Sequence, residues 1–126
     1  MARILVVDDS KLSRRMIRTI LEGEGHEIVE AASGVEAIAA YEEERPDLVL
    51  LDLVMDEMNG IEVLAKLNWL DPGARVLVAT ADIQASTVDI ARRAGALGVM
   101  NKPFARGVVI REVRTALGGD DDDRAT

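Results

Sequence analysis

Asp47-Leu48-Val49-Leu50-Leu51-Asp52 is a short apolar run that carries a carboxylate to its far end. It is entered from Arg45-Pro46 and left through a polar segment that contains Gly60. An uninterrupted apolar run of this length reads as a strand buried on both faces, since a half-exposed strand would alternate. Asp52 then stands where the strand stops. In an open parallel sheet the crevice outside the carboxyl ends of the strands collects ligands, so a charge delivered there serves chemistry more often than packing.

Outward from that strand, the chain repeats one unit. Ile4 to Val7 is a second apolar run, ending in Asp8-Asp9, with Ser10 placed to cap the helix that follows. Leu12, Met16, Ile20 and Leu21 recur there at helical spacing, and Gly23 and Gly25 give a stop. His26 to Ala31 reads as another strand. Ser33-Gly34-Val35-Glu36 has the spacing of a capping box, and the helix behind it is expected to turn Val35, Ile38 and Ala39 to one side. Glu42-Glu43-Glu44 reads as its solvated end.

On the carboxyl-terminal side, Asn59-Gly60 caps a helix running to about Trp69, and Asp71-Pro72-Gly73 is a turn by its chemistry. Arg75 to Ala79 is a fourth apolar strand, ending on Thr80. Asp82 is placed to cap a helix from Ile83 to Ala94, with Gly95 at its end, and Val88, Ala91 and Ala94 at core-facing spacing. Leu97 to Met100 is a short fifth strand, followed by Asn101-Lys102-Pro103-Phe104 and a last helix from about Ala105 to Leu117. Five strands alternating with five helices give an α/β fold with a parallel sheet covered on both faces.

At 126 residues, 48% hydrophobic and 30% charged, the composition is that of one globular domain. One Trp, one Tyr and one Phe leave the core to aliphatic residues and Met, and the absence of Cys excludes disulfides and thiolate metal sites. His26 is the one histidine, so a transition-metal site has no support and His26 reads as a strand-start residue. The amino terminus reaches Asp8 and Asp9 before a signal segment could form, and no stretch approaches membrane-spanning length. A cytoplasmic protein is expected. A formal net charge of −8 argues against general affinity for nucleic acid or anionic lipid.

The strand ends together deliver Asp8 and Asp9, then Asp52, Thr80 and Lys102 to one edge. Taken singly, each has a plain reading: a solvated turn, a strand terminus, a surface lysine before a proline. Taken together they form a coherent set. Three close carboxylates either protonate or hold a hard cation, and Mg²⁺, which takes oxygen ligands, commonly bridges carboxylates to phosphoryl oxygens. A carboxylate can itself accept a phosphoryl group, with a hydroxyl and an ammonium to meet the added charge.

With these residues the chain resembles the receiver domains of response regulators in two-component signalling. The resemblance covers roughly residues 3 to 117 and rests on Val6-Val7-Asp8-Asp9-Ser10, Leu50-Leu51-Asp52-Leu53, Met58-Asn59-Gly60, Ala79-Thr80-Ala81 and Asn101-Lys102-Pro103-Phe104. It implies a flavodoxin-like (βα)5 three-layer sandwich with sheet order 2-1-3-4-5 over residues 1–118, and leaves 119–126 as a flexible acidic tail or the start of a linker. It further implies that Asp52 accepts phosphate from a phosphohistidine of a histidine kinase or phosphotransfer protein. Asp9, Asp52 and the Val54 carbonyl would bind Mg²⁺ directly, and Asp8 through water. Thr80 and the Ala81 amide would contact the phosphoryl oxygens, Lys102 would pair with them, and Lys102-Pro103 would be cis. An output protein would read the face of the fourth helix, fifth strand and fifth helix. Such a domain catalyses its own phosphorylation and dephosphorylation.

Two positions depart from the family pattern: Val99 stands where an aromatic switch residue is usual, and Asp56 follows Met55 where proline is usual. Val99 keeps open an interaction module that works without phosphorylation, and the end of the chain keeps open a receiver piece of a larger regulator. A phosphatase with an aspartyl-phosphate is disfavoured, because Leu53-Val54 supplies no second acid two positions after the acceptor.

Overall fold

The central strands carry no polar face, and their position in the sheet explains why. The computed structural model describes residues 1–54, 59–81 and 85–118. Within these, the order is β1 (Arg3–Val7), α1 (Lys11–Glu22), β2 (Glu27–Ala31), α2 (Gly34–Glu44), β3 (Leu48–Asp52), α3 (Gly60–Leu70), β4 (Val76–Thr80), α4 (Ala85–Arg93), β5 (Gly98–Asn101) and α5 (Arg106–Ala116). The sheet runs β2-β1-β3-β4-β5, with every pairing parallel. β3 and β4 are buried at every position, as a strand covered by helices on both faces must be. The expected order is borne out.

The sheet separates two apolar clusters. One face of the strands, Leu5, Val7, Val49, Leu51, Val76 and Val78, packs with Ala37, Tyr41, Leu64, Leu67 and Ala91 of α2, α3 and α4. The other face, Ile4, Val6, Ile28, Leu48, Leu50 and Leu77, packs with Ile17, Ile20, Leu21, Val109 and Val113 of α1 and α5. Period-two alternation therefore assigns a side to each polar residue that continues a strand row. Asp8 continues Ile4 and Val6, Asp52 continues Leu48 and Leu50, and Lys102 continues Met100, all toward α1 and α5.

The helix starts follow their caps. Ser10 accepts from the Ser13 N–H, Ser33 from Glu36 and Asn59 from Ile61. Glu36 reaches back to the Ala32 N–H at 2.9 Å, one residue beyond the expected capping-box partner. Two helix faces differ from expectation. In α1 the buried residues are Ile17, Ile20 and Leu21, while Leu12 and Met16 are exposed, because they lie roughly a quarter of a turn or more from that stripe. In α2 the buried stripe is Gly34, Ala37 and Tyr41, and Val35 and Ala39 face outward. Both sets in α2 satisfy helical spacing, and the size of Tyr41 decides which row turns inward. The anticipated Asp82 cap, Met55, Asp56, Met58 and the acidic tail lie outside the described residues.

Candidate functional site

The carboxyl ends of β1, β3, β4 and β5 open on one edge, and the polar residues gather there. Asp8, Asp9 and Asp52 each offer a carboxylate oxygen within 4.8 Å of the others. Asp8 and Asp52 are buried and Asp9 is exposed, so the cluster has an inner wall and an open side. Lys102 donates to Asp8 Oδ2 at 3.0 Å and to Asp52 Oδ2 at 3.5 Å. The other oxygens of these two acids are also held: Asp8 Oδ1 accepts from the Ser10 N–H at 2.8 Å and Asp52 Oδ1 from the Val54 N–H at 3.1 Å.

Burial, with the Asp8 charge beside it, pushes the Asp52 carboxyl above the usual carboxylate range, and the Val54 N–H and Lys102 offset only part of that rise. Burial would depress the Lys102 ammonium, but its hydrogen bond to Asp8 and the charges of Asp52 and Asp8 outweigh burial and hold it above its ordinary value. One cation thus faces two buried carboxylates, an excess of negative charge that suits a hard divalent ion with oxygen ligands. The donor set fits Mg²⁺: among the described residues it consists of three carboxylates, with no nitrogen or sulfur ligand, and one side is open to water.

Thr80 ends β4, next to the strand that carries Asp52, and is buried. Its carbonyl accepts the Lys102 N–H at 2.9 Å, which ties β4 to the segment after β5. Ala81 follows it on the exposed edge. Val54 lies just outside β3, with its side chain in solvent. The Lys102-Pro103 peptide is cis, as the resemblance implied. Val99 is partly buried against the cluster beneath α2, α3 and α4.

Three contributors were not singled out from the sequence. Phe104 places its ring 5.7 Å from Lys102 Nζ, a cation–π distance that steadies the ammonium. Arg14 donates to the main-chain carbonyl of Asp8 at 2.6 Å and to Glu30 at 2.9 Å. Glu30 was legible in principle, as an acid two residues after Ile28 on an inward row of β2.

The family model described as the response regulator receiver domain matches residues 4–114. This chain belongs to that family. As a receiver domain of two-component signalling, it is 40% identical over 116 residues to the chemotaxis protein CheY of Bacillus subtilis, covering 91% of this chain and 97% of that one. It is 38% identical over 123 residues to the DNA-binding response regulator MtrA of Mycobacterium leprae, covering 98% of this chain and 54% of that protein. Among solved structures, a CheY-like receiver domain from Methanospirillum hungatei superposes with a TM-score of 0.89 at 29% identity, over 98% of both chains. The CheX–CheY–BeF3–Mg complex of Borrelia burgdorferi gives a TM-score of 0.87 at 32% identity, over 90% of this receiver domain and 87% of that chain. No helix among the described residues is long and apolar enough to cross a membrane.

Proposed function

We propose that this receiver domain is a phosphorylation-controlled switch, with Asp52 as the acceptor. The observation that carries the reading is the convergence of Asp8, Asp9 and Asp52 with Lys102 at one sheet edge. A carboxylate oxygen of Asp52 attacks the phosphorus of a kinase or phosphotransfer phosphohistidine, the P–N bond breaks, and its electron pair stays on the leaving imidazole nitrogen. Burial keeps Asp52 more basic than a free carboxylate, which suits a nucleophile. Bound Mg²⁺ would neutralise phosphoryl charge, held by Asp9, Asp52 and the Val54 carbonyl, with Asp8 acting through water.

Lys102 then exchanges part of its pairing with Asp52 for the arriving phosphoryl oxygens, and the Thr80 hydroxyl and Ala81 N–H meet the others. Because the Lys102 N–H is bonded to the Thr80 carbonyl, a shift at the phosphoryl group moves the ends of β4 and β5 together. The face of α4, β5 and α5, where Ile90 and Leu97 are exposed, carries that change to an output protein. That relatives include a CheY bound to CheX supports a protein partner, and the net charge of −8 argues against direct nucleic-acid binding. Residues 1–118 form the receiver unit, with 119–126 an acidic tail or linker, and the protein works in the cytoplasm.

The test is incubation with Mg²⁺ and acetyl phosphate, read by mass spectrometry. A single phosphoryl gain in the wild type, lost in Asp52→Asn, is expected; a gain that persists in Asp52→Asn contradicts the assignment. A second reading, an interaction module independent of phosphorylation, draws on Val99 at the position of the usual switch aromatic. Equal affinity for an output partner with and without beryllofluoride would favour it.

A further inference from the structure

The acidic edge rests on a second charged layer. Glu30 sits on the α1 side of β2, in register with Val6, among side chains that are otherwise apolar. A carboxylate on that face requires partners, and α1 supplies two: Arg14 Nε donates to Glu30 Oε1 at 2.9 Å, and Arg18 Nη1 donates to Glu30 Oε2. The Arg14 side chain is 14% exposed and that of Glu30 is 27% exposed, so this is a partly buried contact, better shielded than an ion pair on the open surface. Burial opposes the Glu30 charge, yet the hydrogen bonds from Arg18 and Arg14 outweigh it and hold its carboxyl below the usual range.

The fork of Arg14 then reaches past Glu30 to one further acceptor, the Asp8 main-chain carbonyl, at 2.6 Å. That carbonyl belongs to the peptide joining Asp8 to Asp9. The rest of the turn is tied by Asp8 N–H to the Ala31 carbonyl at 3.1 Å and by Ser10 N–H to Asp8 Oδ1 at 2.8 Å. Asp9 is the exposed member of the carboxylate cluster, and the orientation of its preceding planar peptide helps set the direction in which its side chain leaves the main chain. Arg14 is the side chain that holds the carbonyl of that peptide.

We infer that Arg14, held by Glu30, is a positioning residue for the divalent-cation site, orienting Asp9 through the Asp8–Asp9 peptide. The inference rests on the reading of the acidic edge as a Mg²⁺ site. Two effects of Arg14 oppose each other. As a cation near the acids it repels a second cation, so on charge alone its removal would tighten Mg²⁺ binding. As a clamp it preorganises a ligand, and its removal weakens binding; groups that orient metal ligands from behind typically change affinity by about tenfold or more when removed. A planar fork that satisfies a carboxylate and a carbonyl at once cannot be replaced by an ammonium.

The experiment is a Mg²⁺ titration by calorimetry of wild type, Arg14→Lys and Arg14→Met, with thermal melting in Mg²⁺-free buffer and the amide chemical shifts of Asp9 and Ser10 as checks on folding and turn geometry. Saturable binding by the wild type, weakened about tenfold in both variants, with amide shifts confined to the turn, is the expected result. In phosphorylation by acetyl phosphate the half-saturating Mg²⁺ concentration rises by the same factor, while the rate at saturating Mg²⁺ is retained. Unchanged affinity in Arg14→Lys together with tighter binding in Arg14→Met would show charge alone at work and overturn the inference. Should Arg14→Met not fold, Arg14→Lys, which keeps stem and charge, decides by itself: weakened binding supports positioning and unchanged binding overturns it. A wild type with no saturable Mg²⁺ binding would remove the metal-site reading itself.

Discussion

Lys102 is the residue on which the charge balance of the edge turns. It stands 3.0 Å from Asp8 and 3.5 Å from Asp52, whose side chains are about 6% and 7% exposed. Removing one member of a buried charged set leaves its partners uncompensated, which for fully buried pairs costs about 3–5 kcal/mol; the partial exposure of Lys102 brings the expectation for Lys102→Ala to about 2 kcal/mol. Denaturant unfolding in Mg²⁺-free buffer measures it, and added Mg²⁺ should recover part of the loss. Asp52 carries the opposite sign. Its folded-state pKa is raised above the ordinary 3.8, so the folded protein holds that proton more tightly than the unfolded chain. Stability from this group therefore falls as pH rises from the ordinary value through the raised one, and the ionised form is a net cost at neutral pH. Asp52→Asn should raise Tm at pH 7 without Mg²⁺ and flatten that limb of the pH profile. A lower Tm for the variant would show that Lys102 and the Val54 N–H outweigh burial.

At the scale of elements, two joints hold the site in place. The first is the start of α3 against the end of β3. The Gly60 N–H donates to the Leu53 carbonyl at 3.1 Å, and a Cβ on Gly60 would lie 2.5 Å from Leu53 Cα and 2.7 Å from the Asp52 carbonyl. Main chain cannot yield as a flexible side chain can, so Gly60→Ala should cost about 2 kcal/mol and displace the strand end that presents Asp52. Slower phosphorylation by acetyl phosphate, beyond what the fraction unfolded explains, would mark that displacement. The second joint is Tyr41 of α2, whose hydroxyl donates to Asp71 after α3 at 2.7 Å. Burial and the Asp71 carboxylate push the Tyr41 phenol up to about 12. With the folded value above the unfolded one, this contribution is complete below pH 10 and is lost as pH rises toward 12. Tyr41→Phe should abolish that alkaline loss. These joints also show what could be read in advance. Strand runs ending in acids, and caps such as Ser10, Ser33 and Asn59, are local signals, and they placed the elements. The inward face of a helix is not local: Val35–Ile38–Ala39 and Gly34–Ala37–Tyr41 are neighbouring rows that both fit helical periodicity, and only packing against β1, β2 and α3 chooses between them. Arg14 escaped notice for the same reason, since its partners Glu30 and the Asp8 carbonyl meet it through the fold.

For the whole molecule, the decisive feature is a sheet whose middle strands belong to both apolar clusters at once. Leu5 and Val7 face α2, α3 and α4 while Ile4 and Val6 face α1 and α5, so neither helical layer can leave without exposing strands the other still needs. The acidic edge draws on β1, β3 and β5, and Thr80 of β4 binds the last of these to the rest, which makes the site as cooperative as the sheet beneath it. Leu67 in α3 and Leu21 in α1 are fully buried on opposite faces. Leu67→Ala and Leu21→Ala should each cost about 3 kcal/mol, the middle of the range for a buried leucine cut to alanine. Were the layers independent, Leu21→Ala would melt α1 and α5 first and leave far-ultraviolet and near-ultraviolet circular dichroism out of step, because Tyr41, buried among α2 and α3, reports from the other layer. A shared sheet instead requires both variants to unfold in one transition, with far-ultraviolet circular dichroism, the near-ultraviolet signal of Tyr41 and the capacity for phosphorylation lost together. Separate midpoints for α1 and α3 would show that the two faces of the sheet are not thermodynamically joined.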